Sequence, residues 1–580
     1  MSRYLIGRSP ENGQNVYLPA ATLPTHSHFI GSTGVGKSTL LVRIITQLMI
    51  GFLAPTTIFV IDPLGGLAES LLNFMAHPTL CPESVRRRLV YIEPANTDYV
   101  MPFNPLRFLD ENDLYYRTGR ASDVMLRSGS SHDMSIMLRL RRWLYNCFYS
   151  IGAMGYPPSA AQFLVQPGTD QHNQLLSQIP PQLQLAWSEI MQAGLRERIT
   201  ILDSTRNRLN PFFVCPALNY MLSSTQSNFD VTRFMTEKKI VIINLAPKGK
   251  IDPHIASTIG GLMVNEIIQT ARNLPRDIVT PTALVLDEFQ NFVGEDLYSA
   301  IPETRQLGLQ LYLSHQSMSQ LEQGDVDMRG IVWQARNRFM FANDADDADL
   351  LAHELATQTY DSKELKDQIE VFRQKKVGQS LIRLNNFSAT NTSSHAFDEN
   401  RSSGTTRGRS YQHGQPYSDS TYTDGSSVNR GQSEKNATSQ GTSQGWSETM
   451  IDNLEDFYEV SSRTYYTFDE QVRRWARRVR QRSTGQAFAK FKDDNRIHEV
   501  DVDQLVIPMI PALVDLKAKL LEENFANREL FLPTSEVQTQ WNGFVHGLGQ
   551  GTIIPPNQQA IIDAVSVERS GGSNDDSAFR

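Results

Sequence analysis

At 580 residues, 40% of them apolar and 20% charged, the chain has room for about three or four domains and is neither disordered throughout nor built for a bilayer. A formal charge of −8 excludes coating nucleic acid through bulk positive charge, so any nucleic-acid site must be a local basic channel. Cys81, Cys147 and Cys215 lie far apart with no CxxC pair, which argues against a disulfide framework or a zinc site and for a reducing, cytoplasmic setting.

The N-terminus lacks the apolar core of a signal peptide. The most apolar long stretch, residues 40–61, is interrupted by Arg43, Gln47 and Pro55, so no membrane span is expected. Residues 28–30 read as a short strand. The loop that follows, Gly31-Ser32-Thr33-Gly34-Val35-Gly36-Lys37-Ser38, fits GxxxxGK[ST] at every position. Glycines are needed there because backbone N–H groups must turn inward to cradle phosphate oxygens. Lys37 would neutralise the β- and γ-phosphates and the Ser38 hydroxyl would hold Mg²⁺, while Thr39 opens the helix whose positive end faces the phosphates. ATP and Mg²⁺ are the expected cofactors.

Apolar runs rich in β-branched residues recur at 57–61, 89–92, 239–245, 283–286, 309–313 and 338–341, with helical patterns between several of them, such as 38–50 and 255–272. Fully apolar strands alternating with helices predict an α/β core with a parallel sheet covered on both faces. From about 110 to 235 the patterns are amphipathic (133–149, 182–193, 195–210) with little strand signal, which predicts an all-helical insertion. The strand at 283–286 ends in Asp287-Glu288: Asp287 would orient Mg²⁺ through its water shell, and Glu288 would act as the base that polarises the attacking water. Asp62 ends a similar strand without a second carboxylate and is read as structural. Arg305, 18 positions after Asp287, is placed to reach a neighbouring subunit's γ-phosphate, and Gln316, after Ser314-His315, to sense that phosphate. On spacing alone the plainer reading of Arg305, a surface helix arginine, prevails, and Gln316 reads equally as a strand-end hydrogen-bonding group.

Residues 386–450 hold 14 Ser and 9 Thr but no Ile or Leu, too little apolar area to offset chain entropy, so a disordered loop is expected. The alternative is a segment that folds on a partner. Residues 377–384 and 484–491 look alike, and each follows a charged stretch read as helical, 364–374 and 470–480. Either a helix-turn-strand unit is duplicated or the likeness is coincidence. The run 473–482 contains six arginines, of which 473, 477 and 480 share a helix face that could meet DNA phosphates; the plainer reading is a solvated, acid-paired helix, and the same holds for 139–142.

Taken in order, the phosphate loop, Asp62-Pro63, Phe103-Asn104-Pro105-Leu106, the stretch Leu284-Val285-Leu286-Asp287-Glu288-Phe289-Gln290-Asn291-Phe292, Arg305 and His315-Gln316 resemble the HerA/FtsK superfamily of RecA-like ring motors. Within it the likeness is to the cytoplasmic ATPase domain of conjugative type IV coupling proteins, over about residues 1–385 and weakly around Gly485-Gln486. The resemblance implies a RecA-like P-loop fold and a homohexamer with ATP between subunits. It implies that Lys37, Ser38, Asp287 and Glu288 act in cis, that Arg305 is an arginine finger, and that Gln316 is a sensor. It also implies DNA drawn through a central pore. The expected division is a motor in two parts, 1–109 and 236–385, an all-alpha insertion at 110–235, a low-complexity linker at 386–450 and a C-terminal region at 451–580. An ATP-driven DNA translocase of conjugative transfer is the leading expectation, with a relaxase or secretion apparatus as partner and peripheral recruitment to a membrane complex. A HerA-like motor partnering a nuclease and an ATP-dependent scaffold without DNA stimulation stand as alternatives. Only 30 residues precede Gly31, where membrane-bound coupling proteins carry transmembrane helices and HerA-type helicases a β-barrel.

Overall fold

The computed structural model describes residues 3–51, 55–108, 110–127, 134–275, 280–292, 295–303, 306–323, 326–392, 439–494, 496–508, 510–553 and 555. The chain divides into two units, Met1–Thr359 with Val472–Arg580, and Tyr360–Gln471.

The larger unit is organised on one 11-stranded sheet. Its strands are β1 (Arg3–Arg8), β2 (Asn15–Pro19), β3 (Ser27–Ile30), β4 (Thr57–Asp62), β5 (Leu89–Ile92), β6 (Ile240–Asn244), β7 (Thr282–Leu286), β8 (Leu309–His315) and β9 (Asn337–Met340). Two strands of the smaller unit are β10 (Leu365–Thr392) and β11 (Ser439–Tyr465), and β12 (Gln486–Lys490) and β13 (His498–Asp501) return to the sheet. The spatial order is β2-β1-β13-β12-β9-β3-β8-β7-β4-β6-β5. From β9 to β5 every pairing is parallel. Strands such as β4 (TIFVID) and β6 (IVIIN) are buried at every position, which is why they read as unbroken apolar runs rather than alternating ones.

The sequence reading found these parallel strands within a residue or two but missed β1, β2 and β13. Residues 3–19, ahead of β3 and the phosphate loop, form a hairpin that, with β12 and β13, adds four antiparallel strands to one edge. Part of the C-terminal region is thereby built into the main sheet. At the opposite edge, helix Leu513–Phe525 supplies Asn524, whose side-chain amide accepts from the Tyr91 N–H (2.8 Å) and donates to its carbonyl (2.9 Å). A side-chain amide thus takes the place of a twelfth strand at β5.

From Glu111 to Thr236 the described residues are helices and turns with no strand. Trp143 and Trp187 are buried against each other, and the Trp187 indole donates to Ser150 Oγ at 2.9 Å. Arg141 and Arg142 pair with Asp123 and Glu189, so this basic run is acid-paired.

The smaller unit is a long antiparallel ribbon, β10 against β11, running in register from Leu365↔Tyr465 to Thr392↔Ser439 with three irregularities. Three readings are corrected. Residues 364–374 are not a helix: their charges alternate with Ile369, Val371 and Phe372, and the partners that fix 365–374 as strand are residues 456–465, beyond the reach of a local pattern. The stretch 386–450 is not a linker throughout, because its described ends, 386–392 and 439–450, are strand; residues 393–438 lie outside the described residues. The repeat is not a duplicated unit either, since 377–384 belongs to the ribbon and 486–490 to the main sheet. Helix Phe468–Arg480 does form, and there Arg478, Arg480 and the following Arg482 pair with Glu499, Asp349 and Glu499.

Helix Pro253–Asn273 packs on the sheet through Gly260, where an added Cβ would meet Leu245 Cδ1 at 2.4 Å and Phe292 Cε1 at 2.6 Å. Phe292 closes the turn that follows Asp287-Glu288, so this contact seats the acidic pair. Gly260→Val is expected to destabilise the chain by about 1–3 kcal/mol through overpacking. Urea unfolding of the variant checks this, and an unchanged midpoint would refute the contact.

Candidate nucleotide site

The parallel order places β8 between β3, which leads into the phosphate loop, and β7, which ends in the acidic pair. All three strands therefore deliver their C-terminal ends to one edge of the sheet, where open α/β sheets bind ligands. Helix Lys37–Ile50 starts directly from the loop. Gly36 takes φ 114°, and an added Cβ would lie 3.2 Å from Gly485 Cα. The loop is held from two sides: Gly485 N–H donates to Val35 O (2.8 Å), and Ser32 donates through N–H to Ala342 O (2.9 Å) and through Oγ to Asn343 Oδ1 (3.1 Å). Asn343 also donates to Gln316 O at 3.2 Å.

Lys37 Nζ folds back to donate to Gly31 O (2.5 Å) and Ser32 O (3.0 Å), so the ammonium lies across its own loop. Burial lowers its pKa, against the opposing pull of Glu288 and Asp287. The Asp287 carboxyl is pushed up to about 6 by burial, with Asp62 adding to the rise and the Ser314 hydroxyl and Lys37 opposing it. Its Oδ1 accepts the Glu288 N–H at 3.2 Å.

Glu288 is buried and sits at φ 46°, in the left-handed region that costs a non-glycine residue about 1–3 kcal/mol. Two amides fix its carboxylate: Gln316 Nε2 donates to Oε1 (2.9 Å) and Gln290 Nε2 to Oε2 (2.7 Å). Gln316 Oε1 in turn accepts from Thr33 Oγ1 at 2.9 Å. One hydrogen-bonded chain therefore runs from the phosphate loop through Gln316 to Glu288. Beneath it, His28 on β3 and His315 on β8 stack, with Nε2 atoms 2.7 Å apart, and His315 Nδ1 lies 3.0 Å from Ser317 O. The second contact makes Nδ1 of His315 the protonated nitrogen, leaving Nε2 to accept from His28; both rings are neutral.

Asp62 is structural as read: its carboxylate accepts the N–H groups of Leu64, Gly65 and Ala68. Ser38 and Thr39 line a cleft of about 410 Å³ whose other walls are Val42, the polar Ser70 and Asn73, and an apolar segment around Leu505 and Ile507. Among the described residues no group of three or more His, Cys, Asp or Glu could hold a metal unaided. A hydroxyl and one carboxylate, Ser38 and Asp287, nonetheless fit Mg²⁺, which takes the rest of its octahedron from phosphates and water. Arg305 lies outside the described residues. Sequence reasoning missed Asn343 and, although Gln290 and His315 stood in the motifs, missed the part Gln290 plays at Glu288 and the pairing of His315 with His28.

Residues 281–412 match the family model described as the TraM recognition site of TraD and TraG. Among solved structures, the bacterial conjugative coupling protein TrwBdeltaN70, unbound monoclinic form, aligns at 15% identity and TM-score 0.48 over 88% of this chain and 95% of that one. The plasmid coupling protein TrwB in complex with ADP and Mg²⁺ aligns at 17% and 0.44 over 61% and 84%. VirB4 of Thermoanaerobacter pseudethanolicus aligns at 13% and 0.38 over 60% and 87%. No curated protein sequence matches the chain.

Two outcomes are expected. Gln316→Ala frees one oxygen of Glu288 and unties the loop, and should lower turnover by about 10²-fold or more while nucleotide still binds; wild-type turnover in single-cycle assays would refute the clamp. The histidines provide the second. Burial holds His315 down to about 3 and His28 well below the ordinary 6.5, whereas the unfolded rings protonate near 6.5. Between those values the unfolded state binds more protons, so stability should fall as pH drops from about 6.5 toward 3. His28→Gln should flatten that slope in urea titrations; an unchanged slope would show that the pair is not its source.

Proposed function

We propose that the chain is an ATP-hydrolysing ring motor that moves DNA, of the coupling-protein kind. The observation that carries this reading is the hydrogen-bonded chain Thr33–Gln316–Glu288, which joins a phosphate loop to a buried, amide-clamped carboxylate across three parallel strands. In this reading Lys37 exchanges the carbonyls of Gly31 and Ser32 for β- and γ-phosphate oxygens, and the N–H groups of the loop take the remaining phosphate oxygens. Ser38 and Asp287 would hold Mg²⁺, which would neutralise charge on the phosphates. Glu288, kept in place by two amides and acceptor-only while ionised, takes the proton of the attacking water. Gln316 contacts both loop and base, so entry of a γ-phosphate against Thr33 would disturb the bond that sets the base, which is how a sensor acts. The base of the nucleotide would lie in the cleft beside Ser38 and Thr39.

Arg305 completes the site from a neighbouring subunit in this reading, which requires a ring, and the resemblance makes that ring a hexamer with DNA in its pore. A narrow channel reconciles a net charge of −8 with a nucleic-acid partner, because a few basic residues repeated around a pore suffice to hold phosphates. The description of the matched family makes a second protein partner, recognised by residues 281–412, part of the proposal. No helix among the described residues is long and apolar enough to cross a membrane.

ATP hydrolysis by assembled rings should rise several-fold with DNA and vanish in Lys37→Ala. Turnover indifferent to both single- and double-stranded DNA would overturn the motor reading. Mixing Arg305→Ala with Lys37→Ala subunits should restore part of the activity lost in each, and mixed rings without recovery would remove Arg305 from the neighbouring site.

A further inference from the structure

The ribbon of the smaller unit is an unusual thing to leave in water. Its strands are 28 and 27 residues long, roughly 90 Å at about 3.3 Å per residue, and both are edge strands with a full row of outward N–H and C=O groups. An isolated two-stranded ribbon is marginal at best. This one also exposes large apolar side chains on both faces: along β11 Tyr458 is 72% exposed, Trp446 63% and Met450 60% on one face, and Ile451 44% and Phe457 40% on the other. Such a ribbon calls for neighbours on its edges.

The charges say which neighbours. Strand β10 carries five Lys or Arg (366, 373, 375, 376, 383) against two Asp or Glu (367, 370), a net +3; β11 carries five Asp or Glu (448, 452, 455, 456, 459) against one Arg (463), a net −4. Within the ribbon these signs meet across the register, as Arg373–Glu459 at 3.0 Å, Arg383–Glu448 at 2.6 Å, and Lys376 with Asp452. These side chains stand on the faces of strands that have no second neighbour among the described residues, so a further strand laid on either edge would set its own side chains beside them. A basic strand laid against the outer edge of β11 would repeat the pairing found inside, and an acidic one laid against β10 would do likewise. The one such pair of strands in view is the ribbon of a second copy.

We propose that the ribbons of neighbouring copies of this chain pair edge to edge, β11 of one against β10 of the next, into a continuous antiparallel sheet of alternating acidic and basic strands. Like strands are excluded, because β11 against β11 would set five carboxylates opposite five. The contact is thus head-to-tail, the type that closes into a ring when the rotation allows it. The edge pairing stands on the ribbon alone; its closure into a collar rests on the ring reading of the motor.

Full-length chains in which Cys81, Cys147 and Cys215 are first replaced by alanine, each then given one new cysteine, test it. A chain with Gln374→Cys on β10 is mixed with chains bearing a cysteine at 455, 456 or 457 on β11 and at further positions along that strand, then oxidised. Disulfide-linked dimers are expected in the mixture at an alternating set of β11 positions, and several-fold fewer from either variant alone. Equal cross-linking of β10 with β10, or none along β11, would overturn the proposal, as would a ribbon that captures a different protein and never its own kind. A second variant guards against misfolding: K375E/K376E/R383E combined with E448K/D452K/E455K takes β10 from a net +3 to −3 and β11 from −4 to +2, yet keeps the 376–452 and 383–448 pairs inside each ribbon. With the cysteines placed as before, it should cross-link to itself as wild type does, and to wild-type chains at least about tenfold less, since like charges then meet at the shared edge. Indiscriminate cross-linking would overturn the charge rule. ATP hydrolysis in both variants reports on the motor independently, so a failed ribbon and a failed motor are told apart.

Discussion

The carboxylate of Glu288 is the point on which the site depends. It occupies an unfavourable left-handed backbone position, buried, and two glutamine amides hold its oxygens 2.9 and 2.7 Å away. A carboxylate in that state is costly to keep unless its geometry is fixed from several directions, because a buried acceptor left without donors loses its solvation and gains nothing in return. The directions here come from separate parts of the chain: β7 brings the acid, β8 brings Gln316, and the turn after β7 brings Gln290. The order of strands in the sheet exists, in effect, to let these meet the phosphate loop at one edge. Helix Pro253–Asn273 presses on the same turn through Gly260, so packing energy in the core is spent on holding one carboxylate still.

Much of this was legible in the sequence, and the reason is physical. A phosphate loop is read from consecutive residues, since its function depends on backbone N–H groups in a fixed order, and buried parallel strands announce themselves as unbroken apolar runs. Asp287, Glu288 and Gln316 were found because each ends such a run. What escaped was whatever depends on chain-distant pairing. Gln290 and Asn343 look like any polar loop residues until the fold sets one beside Glu288 and the other beside Ser32 and Gln316. The ribbon was misread for the same cause: alternating charged and apolar residues around 364–374 suit either a helix or a strand, and the arbiter was a partner strand beginning at 439. The hairpin of β1 and β2 was missed because two short half-buried strands give a weak signal beside the motif that follows them.

The edges of the sheet show how the chain handles unpaired strands. At β5 an asparagine on a C-terminal helix mimics a peptide group, and at the other end an N-terminal hairpin and two strands from beyond residue 480 extend the sheet until its last member is short. Among the described residues, only the ribbon is left with long open edges. Against that background its division into a basic and an acidic strand is a specification rather than a neglected surface.

The account stands or falls on where nucleotide and DNA lie together. Images of Glu288→Gln particles with ATP and DNA would show this most directly. The account expects nucleotide against residues 31–38, Arg305 of the adjoining subunit facing its γ-phosphate, and DNA threading the ring. Rings with DNA bound outside the pore, or nucleotide remote from Lys37, would contradict it.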